Sequence, residues 1–141
     1  MIETPNKLTF SEISIGQRES FIVKITESMV EEFGNFSGDL NPLHMDNEFA
    51  ESSSFKKRIV HGMLLASFFS QLIGMKLPGK NALYFSQTLN FRSPCYIDDK
   101  IEIIGEVIEK SDSTKIITIS TSIFNKSKTC LIDGIAKIIV K

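Results

Sequence analysis

No feature of this 141-residue chain restricts its fold more than the run His61-Gly62-Met63-Leu64-Leu65-Ala66-Ser67-Phe68-Phe69-Ser70-Gln71-Leu72-Ile73-Gly74. It is apolar nearly all round, with only small polar residues inside. A helix of that character must be surrounded by protein, because no face of it is suited to water. The run is too short to span a bilayer and is broken by Pro78-Gly79. The rest of the chain therefore has to supply a cover for a central helix.

The segments that follow are suited to that task. In Ala82 to Ser93, Leu83, Phe85, Leu89 and Phe91 alternate with Tyr84, Ser86, Thr88, Asn90 and Arg92. That period of two predicts one strand with one buried face. Pro94 and Asp98-Asp99 mark a turn, and further strands are expected over Lys100–Glu109, Lys115–Phe124 and Thr129–Val140. Short polar connections at Lys110–Ser113 and Asn125–Lys128 read as hairpin loops, so the sheet is mainly antiparallel. Upstream, Met1–Thr9 reads as a loose lead-in and Ser20–Ile25 as a first strand. Thr26 is a candidate N-cap for a helix carrying Met29, Val30, Phe33 and Phe36 at helical spacing. Asp46 is placed to cap a short helix over Asn47–Glu51, and Ser52–Lys57 reads as a polar, mobile connection. One strand, overhanging N-terminal helices, one long buried helix and a run of antiparallel strands make an α+β layering, the hotdog architecture, in a single domain over 1–141. One curved sheet covers a helix on one side only. The overhang and a second copy of the chain are the simplest cover for the other side, so a homodimer is expected.

Composition narrows the function classes. Apolar residues make up 42% and charged residues 23% of the chain, with a formal net charge of -1. Neither a nucleic-acid nor a membrane-surface role resting on bulk charge is indicated. Cys95 and Cys130 form no metal spacing and no disulfide framework, and no N-terminal signal pattern is present, so a cytoplasmic location is expected. No glycine-rich nucleotide fingerprint, zinc spacing or nucleophile elbow is found, so no metal, nicotinamide or flavin is called for.

The stretch Phe36 to Ala50 is the chemically dense one. It sets Asp39, Asn41 and His44 close together; Gly38 just before them permits a sharp turn, and Pro42 among them disfavours helical geometry at Asn41. Asp39–His44 thus reads as a loop able to aim a carboxylate and an imidazole at one spot, or simply as a turn with a capping Asp or Asn. With Ile59-Val60-His61-Gly62-Met63-Leu64 downstream, this stretch resembles the MaoC-like (R)-specific enoyl-CoA hydratases, most of all the short single-domain bacterial (R)-hydratases. The resemblance covers nearly the whole chain. It implies a catalytic pair, Asp39 and His44, with Asn41 supporting it, and a backbone N–H at Gly62 that meets the thioester carbonyl. It also implies an acyl-CoA thioester as substrate, with coenzyme A as part of that substrate and no separate cofactor, and the (R) outcome.

The chemistry accords with those residue types. Hydration of a trans-2-enoyl thioester brings hydroxide to Cβ and a proton to Cα while negative charge builds on the thioester oxygen. A carboxylate and an imidazole can hold one water between them and move a proton, which suits syn addition; which of them serves Cα is open. Asn41 has donor and acceptor groups with which to fix either partner. The first amides of the helix at Gly62 have no intrahelical acceptor and sit at the positive end of its dipole, although a glycine there also suits tight packing. Ala66, Ser70 and Ile73 fall on one stripe that can line an acyl chain, while a core serine bonded back to its own helix is the alternative for Ser70. His61 reads as structural. Lys56-Lys57-Arg58 reads as a solvated charged loop in preference to a site for coenzyme A phosphates. Asp39, His44 and Asp46 are potential metal ligands with nothing in the chain to complete a site. Two other readings stand beside the hydratase: a 3-hydroxyacyl-[acyl-carrier-protein] dehydratase, and a non-catalytic module that binds acyl thioesters.

Overall fold

A computed structural model describes residues 3–141. The first strand, β1 (Arg18–Lys24), leads into α1 (Glu27–Ser37), and two short helical segments follow, α2 (Pro42–Met45) and α3 (Asn47–Ser52). The central helix α4 (Gly62–Gln71) continues as one wider turn over Leu72–Lys76. Then come β2 (Ala82–Gln87), β3 (Asn90–Phe91), β4 (Lys100–Ser111), β5 (Ile116–Asn125) and β6 (Cys130–Val140). The sheet has the order β1-β4-β5-β6-β2, with β3 also paired to β6, and every pairing is antiparallel.

Register explains how the sheet presents an apolar face. Phe21 opposes Ile103, Ile103 opposes Ile123, and Ile123 opposes Ile132, giving one continuous stripe across four strands. Val107, Ile119 and Ala136 form the next stripe. Ile103, Val107, Ile119, Ile123, Ile132 and Ala136 are all buried, as are Leu64, Leu65, Phe69, Leu72 and Ile73 of the helix. Helix and sheet share one core cluster. Each of these Val, Leu, Ile and Phe side chains contributes roughly 1.5–3 kcal/mol by leaving water, so the α4–sheet seam is a large source of stability.

Local signals set the smaller elements. The Thr26 hydroxyl accepts from the Met29 N–H (3.2 Å), and the Asp46 carboxylate accepts from the Phe49 N–H (3.1 Å), as expected of two N-caps. The lead-in is tied down where it is described: Asn6 N–H donates to Met75 O (2.9 Å), and Lys80 N–H donates to Asn6 O (2.7 Å). The start of that lead-in, residues 1–2, lies outside the described residues. The Ser52–Lys57 connection is a set of turns in which the Ser53 hydroxyl bonds both Ala50 O (2.6 Å) and the Phe55 N–H (3.2 Å).

Two expectations are corrected. The single strand over Ala82–Ser93 is two strands, because the ladder is altered at Thr88: its backbone N–H still donates to Ile135 O (2.9 Å), but its hydroxyl, in place of a backbone carbonyl, accepts the Ile135 N–H (2.9 Å). Nor is one face of this segment buried within the chain, since Leu83, Phe85 and Phe91 are 49%, 63% and 56% exposed. The central helix keeps an open face, the side for which a cover other than the sheet is expected, with Met63 57% exposed and Ser67 and Ser70 exposed beside it.

Candidate active site

The segment between α1 and α4 is folded by its own side chains. Helix α1 ends at Gly38, whose φ of 81° is a left-handed conformation that favours glycine, and the Gly38 N–H closes on Gly34 O (2.9 Å). The chain then reverses. Asp39 N–H donates to the Ser37 hydroxyl (3.1 Å), and Asn41 N–H donates to Asp39 Oδ1 (3.2 Å). Asn41 in turn caps α2: its Oδ1 accepts the Leu43 N–H (3.0 Å), with Pro42 in the first turn. Asp39–His44 is therefore not wholly a loop, because Pro42–Met45 closes one helical turn that carries His44. Asn41 meets the Asp39 carboxylate with its backbone N–H, and its side chain is committed to the cap.

This geometry brings Asp39 and His44 together. Asp39 Oδ2 lies 3.9 Å from His44 Nε2, with the Asp39 side chain 49% and the His44 side chain 15% exposed. His44 Nδ1 lies 2.8 Å from Ile59 O. A carbonyl only accepts, so Nδ1 carries the hydrogen and the Nε2 lone pair faces Asp39. The 3.9 Å gap is too long for a direct hydrogen bond. The gap is wide enough for one water about 2.8 Å from each acceptor to span it. Such a water donates both hydrogens, one to the carboxylate and one to the imidazole, and turns its lone pairs outward.

His61 joins this pair, although its sequence context reads as structural. Its Nε2 donates to Asp39 O (2.9 Å), and its ring stacks on His44 with centroids 4.1 Å apart at 29°. Phe33 closes the other side at 4.9 Å. The residue is 2% exposed, and Nδ1 has no partner among the described residues. Burial lowers its pKa below the ordinary imidazole value and the neighbouring His44 adds to this, against the opposing effect of the bond to Asp39 O. His61 is thus a neutral ring that holds the Asp39 backbone and backs His44. Asp39, His44 and His61 offer ligand atoms within 4.8 Å of one another. Imidazole lone pairs lie in the ring planes, however, and two nearly parallel rings do not aim them at one ion. Asp46 is committed to capping α3.

Gly62, the first residue of α4, lies on a cavity of about 330 Å³ that also includes His44, Leu65, Phe91, Pro94 and Leu131. A Cβ at Gly62 would sit 2.6 Å from the Phe91 ring, so the glycine permits this close approach. Cys95 also borders the cavity, but burial above all, with the Asp99 charge, pushes its thiol up to about 12, far from a nucleophile. The proposed acyl stripe is divided: Ala66 is half-buried, Ser70 is exposed on the open face of α4, and Ile73 is 1% exposed in the core.

Arg58 departs most from its sequence reading. Lys57 lies over the Tyr96 ring at 4.9 Å, but Arg58 is 5% exposed and no part of a solvated loop. Its guanidinium donates to Glu27 (3.0 Å) and Glu31 (2.8 Å), and its Nε donates to His44 O (2.6 Å). A planar group with five donors is satisfied there by three acceptors, which is why it can be buried. The available signal was the pair of acids one helical turn apart at Glu27 and Glu31.

The sequence matches the family model described as MaoC like domain over residues 12–127. It is 37% identical to an (R)-specific enoyl-CoA hydratase of Aeromonas caviae, over 86% of this chain and 91% of that protein. It is 40% identical to a mitochondrial 3-hydroxyacyl-[acyl-carrier-protein] dehydratase of Arabidopsis thaliana, over 79% of this chain and 68% of the relative. Among solved structures, an R-hydratase from Pseudomonas aeruginosa in the unliganded form superposes with a TM-score of 0.92 at 33% identity, covering 96% of this chain and 87% of that one.

Proposed function

The chain belongs to the MaoC-like domain family, a hotdog fold, and from that premise we propose that it is a hydro-lyase, an (R)-specific enoyl-CoA hydratase. It adds water to a trans-2-enoyl-CoA to give the (R)-3-hydroxyacyl-CoA and also runs in reverse. The observation that carries the reading is the 3.9 Å opening between Asp39 Oδ2 and His44 Nε2, two acceptors beside a cavity that Gly62 borders. A water held by both points its lone pairs at a substrate carbon. As its oxygen bonds to Cβ, one acceptor takes the released proton, and a proton reaches Cα from the same side. The enolate oxygen is met by the Gly62 N–H, a helix-terminal amide with no intrahelical acceptor. Asn41 supports the pair through its N–H on Asp39 and its cap on the turn bearing His44.

The same reading assigns 1–141 to one domain and makes coenzyme A part of the substrate, with no separate cofactor. It also makes the protein a cytoplasmic homodimer. The exposed Leu83, Phe85 and Phe91 and the open face of α4 support a second copy as the cover. Ala66 and Ser70 then line the acyl chain beneath that cover, with Ile73 behind them.

The test is loss of the conjugated-thioester absorbance on adding crotonyl-CoA and longer enoyl-CoAs, with Asp39→Asn and His44→Ala as controls. The wild type is expected to turn over, and each variant to lose about 10²–10⁴-fold. Thioester binding without turnover would leave the non-catalytic module as the better reading. Full activity in Asp39→Asn would remove the carboxylate from the mechanism. The Arabidopsis relative favours a second arm with the same acyl groups on acyl carrier protein; faster turnover there identifies the dehydratase of carrier-bound substrates.

A further inference from the structure

The four-residue turn α2 is too short to fix its own position, because a single turn lacks helix cooperativity. Yet it carries His44, whose reach to Asp39 has to be held to within a fraction of an ångström for the chemistry above. Consecutive residues grip His44 from two directions. Arg58 Nε donates to its backbone carbonyl (2.6 Å), and the Ile59 carbonyl accepts from its ring Nδ1 (2.8 Å). The Ile59 N–H adds a bond to Leu43 O (3.3 Å). The Arg58 side chain is itself anchored on α1, through Glu27 and Glu31, which lie one turn apart on the same helix face. Helix α1 is the element whose end at Gly38 delivers Asp39. One guanidinium therefore ties the helix that ends at Asp39 to the turn that presents His44.

From this we infer that Arg58 is a positioning residue for the reaction, setting the distance between Asp39 and His44 by joining α1 to the His44 carbonyl. The inference rests on the hydratase reading of the Asp39–His44 pair. Arg58 is not among the residues around the cavity that His44 and Gly62 share, so it acts through His44. Three coplanar donors are needed for three separate acceptors, and a lysine ammonium offers no such fork. The glutamates stay well exposed, with side chains 64% and 46% accessible, so truncating Arg58 returns them to water and does not strand buried charge.

The experiment compares Arg58→Met, Arg58→Lys and the double variant Glu27→Gln/Glu31→Gln with the wild type. The readouts are kcat and KM for crotonyl-CoA per folded molecule and the 15N resonances of the His44 ring. Arg58→Met is expected to lose about 10–100-fold in kcat, with KM within about threefold. Its His44 ring is expected to shift from a single form with the hydrogen on Nδ1 to a mixture of tautomers. Arg58→Lys and the double variant are expected to fall between. A folded Arg58→Met with wild-type kcat and an unchanged His44 spectrum overturns the inference. If Arg58→Met does not fold, the double variant decides on the same criteria. If the wild type turns over no enoyl thioester, the hydratase reading fails by itself, and the His44 resonances decide whether Arg58 positions the ring.

Discussion

Replacing Gly62 with alanine separates the chemistry proposed for the helix terminus from its packing. The added Cβ would fall 2.6 and 2.7 Å from two atoms of the Phe91 ring. Within one chain Phe91 is 56% exposed, so the ring can swing outward where the proposed second copy leaves it room. That movement costs roughly 0.5–1.5 kcal/mol if the rotamer is strained. Against it, alanine is favoured over glycine in a helix by about 1 kcal/mol. The two effects nearly cancel, and the melting temperature is expected to stay within a few degrees of wild type. The barrier should respond quite differently. The methyl group points at Phe91, which lines the cavity together with Gly62 and His44, and so crowds the space in which the proposed mechanism puts the thioester oxygen. Losing one such donor raises the barrier by about 3 kcal/mol, or roughly 10²-fold in rate. The assay is the steady-state loss of crotonyl-CoA absorbance, with circular dichroism to confirm the folded fraction. A folded Gly62→Ala protein with wild-type kcat/KM would refute the assignment. Gly62→Ala/Phe91→Ala guards against a subtler error: if removing the ring restores activity, the loss came from a displaced Phe91 and the N–H is not the donor.

Three other expectations follow from groups outside that helix terminus. His61 has a lowered folded pKa, so from its ordinary value of 6.5 downward the unfolded chain binds more protons than the folded one; stability should fall with pH through that window, and His61→Gln should flatten the thermal-melt profile between pH 7.5 and pH 5. Cys95 is 1% exposed with its thiol held up to about 12, whereas Cys130 is half-buried, so a thiol reagent under native conditions should modify Cys130 first and Cys95 only on unfolding; equal rates would contradict the packing around Cys95. Phe85→Lys places a charge on the exposed β2 edge and should halve the sedimentation mass of the proposed homodimer while leaving the melting curve of the chain largely intact; a wild type that sediments as a single chain would refute the dimer, and a variant that keeps the dimer mass would move the contact away from β2.

Local features of the fold were legible because their causes are local. The caps at Thr26 and Asp46 depend on a side chain and an amide three residues on, and both are present. The central helix declared itself by composition, and the strands β4 to β6 by alternation and short polar turns. The Asp39–His44 pair stood out from residue types in a short span, and the structure brings the two within 3.9 Å. The inward turn of Arg58 and the partners of His61, which does hold structure as its sequence context suggests, were illegible for the opposite reason. Arg58 finds Glu27 and Glu31 at separations of 31 and 27 residues, and His61 finds Asp39 O at 22. A charge run such as Lys56-Lys57-Arg58 gives no local sign that one of its members turns inward. Asn41 shows the intermediate case: its capping role is local and was one of the readings of the turn, but its use of a backbone N–H on Asp39 required the fold.

Ala82–Ser93 teaches a different limit. Alternation tells that one face of a strand leaves water, and it is silent about whose atoms replace the water. Within this chain Leu83, Phe85 and Phe91 stay exposed, as does Met63 on α4. The pattern marks an apolar face, and the chain by itself leaves that face in water. The same ambiguity governs the stripe Ala66, Ser70 and Ile73, since Ile73 is covered by the chain's own core while Ser70 is not. Phe91 belongs to both the exposed segment and the cavity beside Gly62. In the proposed homodimer, covering that segment would also close one wall of the proposed active site. Association and chain-length selectivity are then one physical question, and a β2 substitution that prevents pairing should change the preferred acyl length along with the mass.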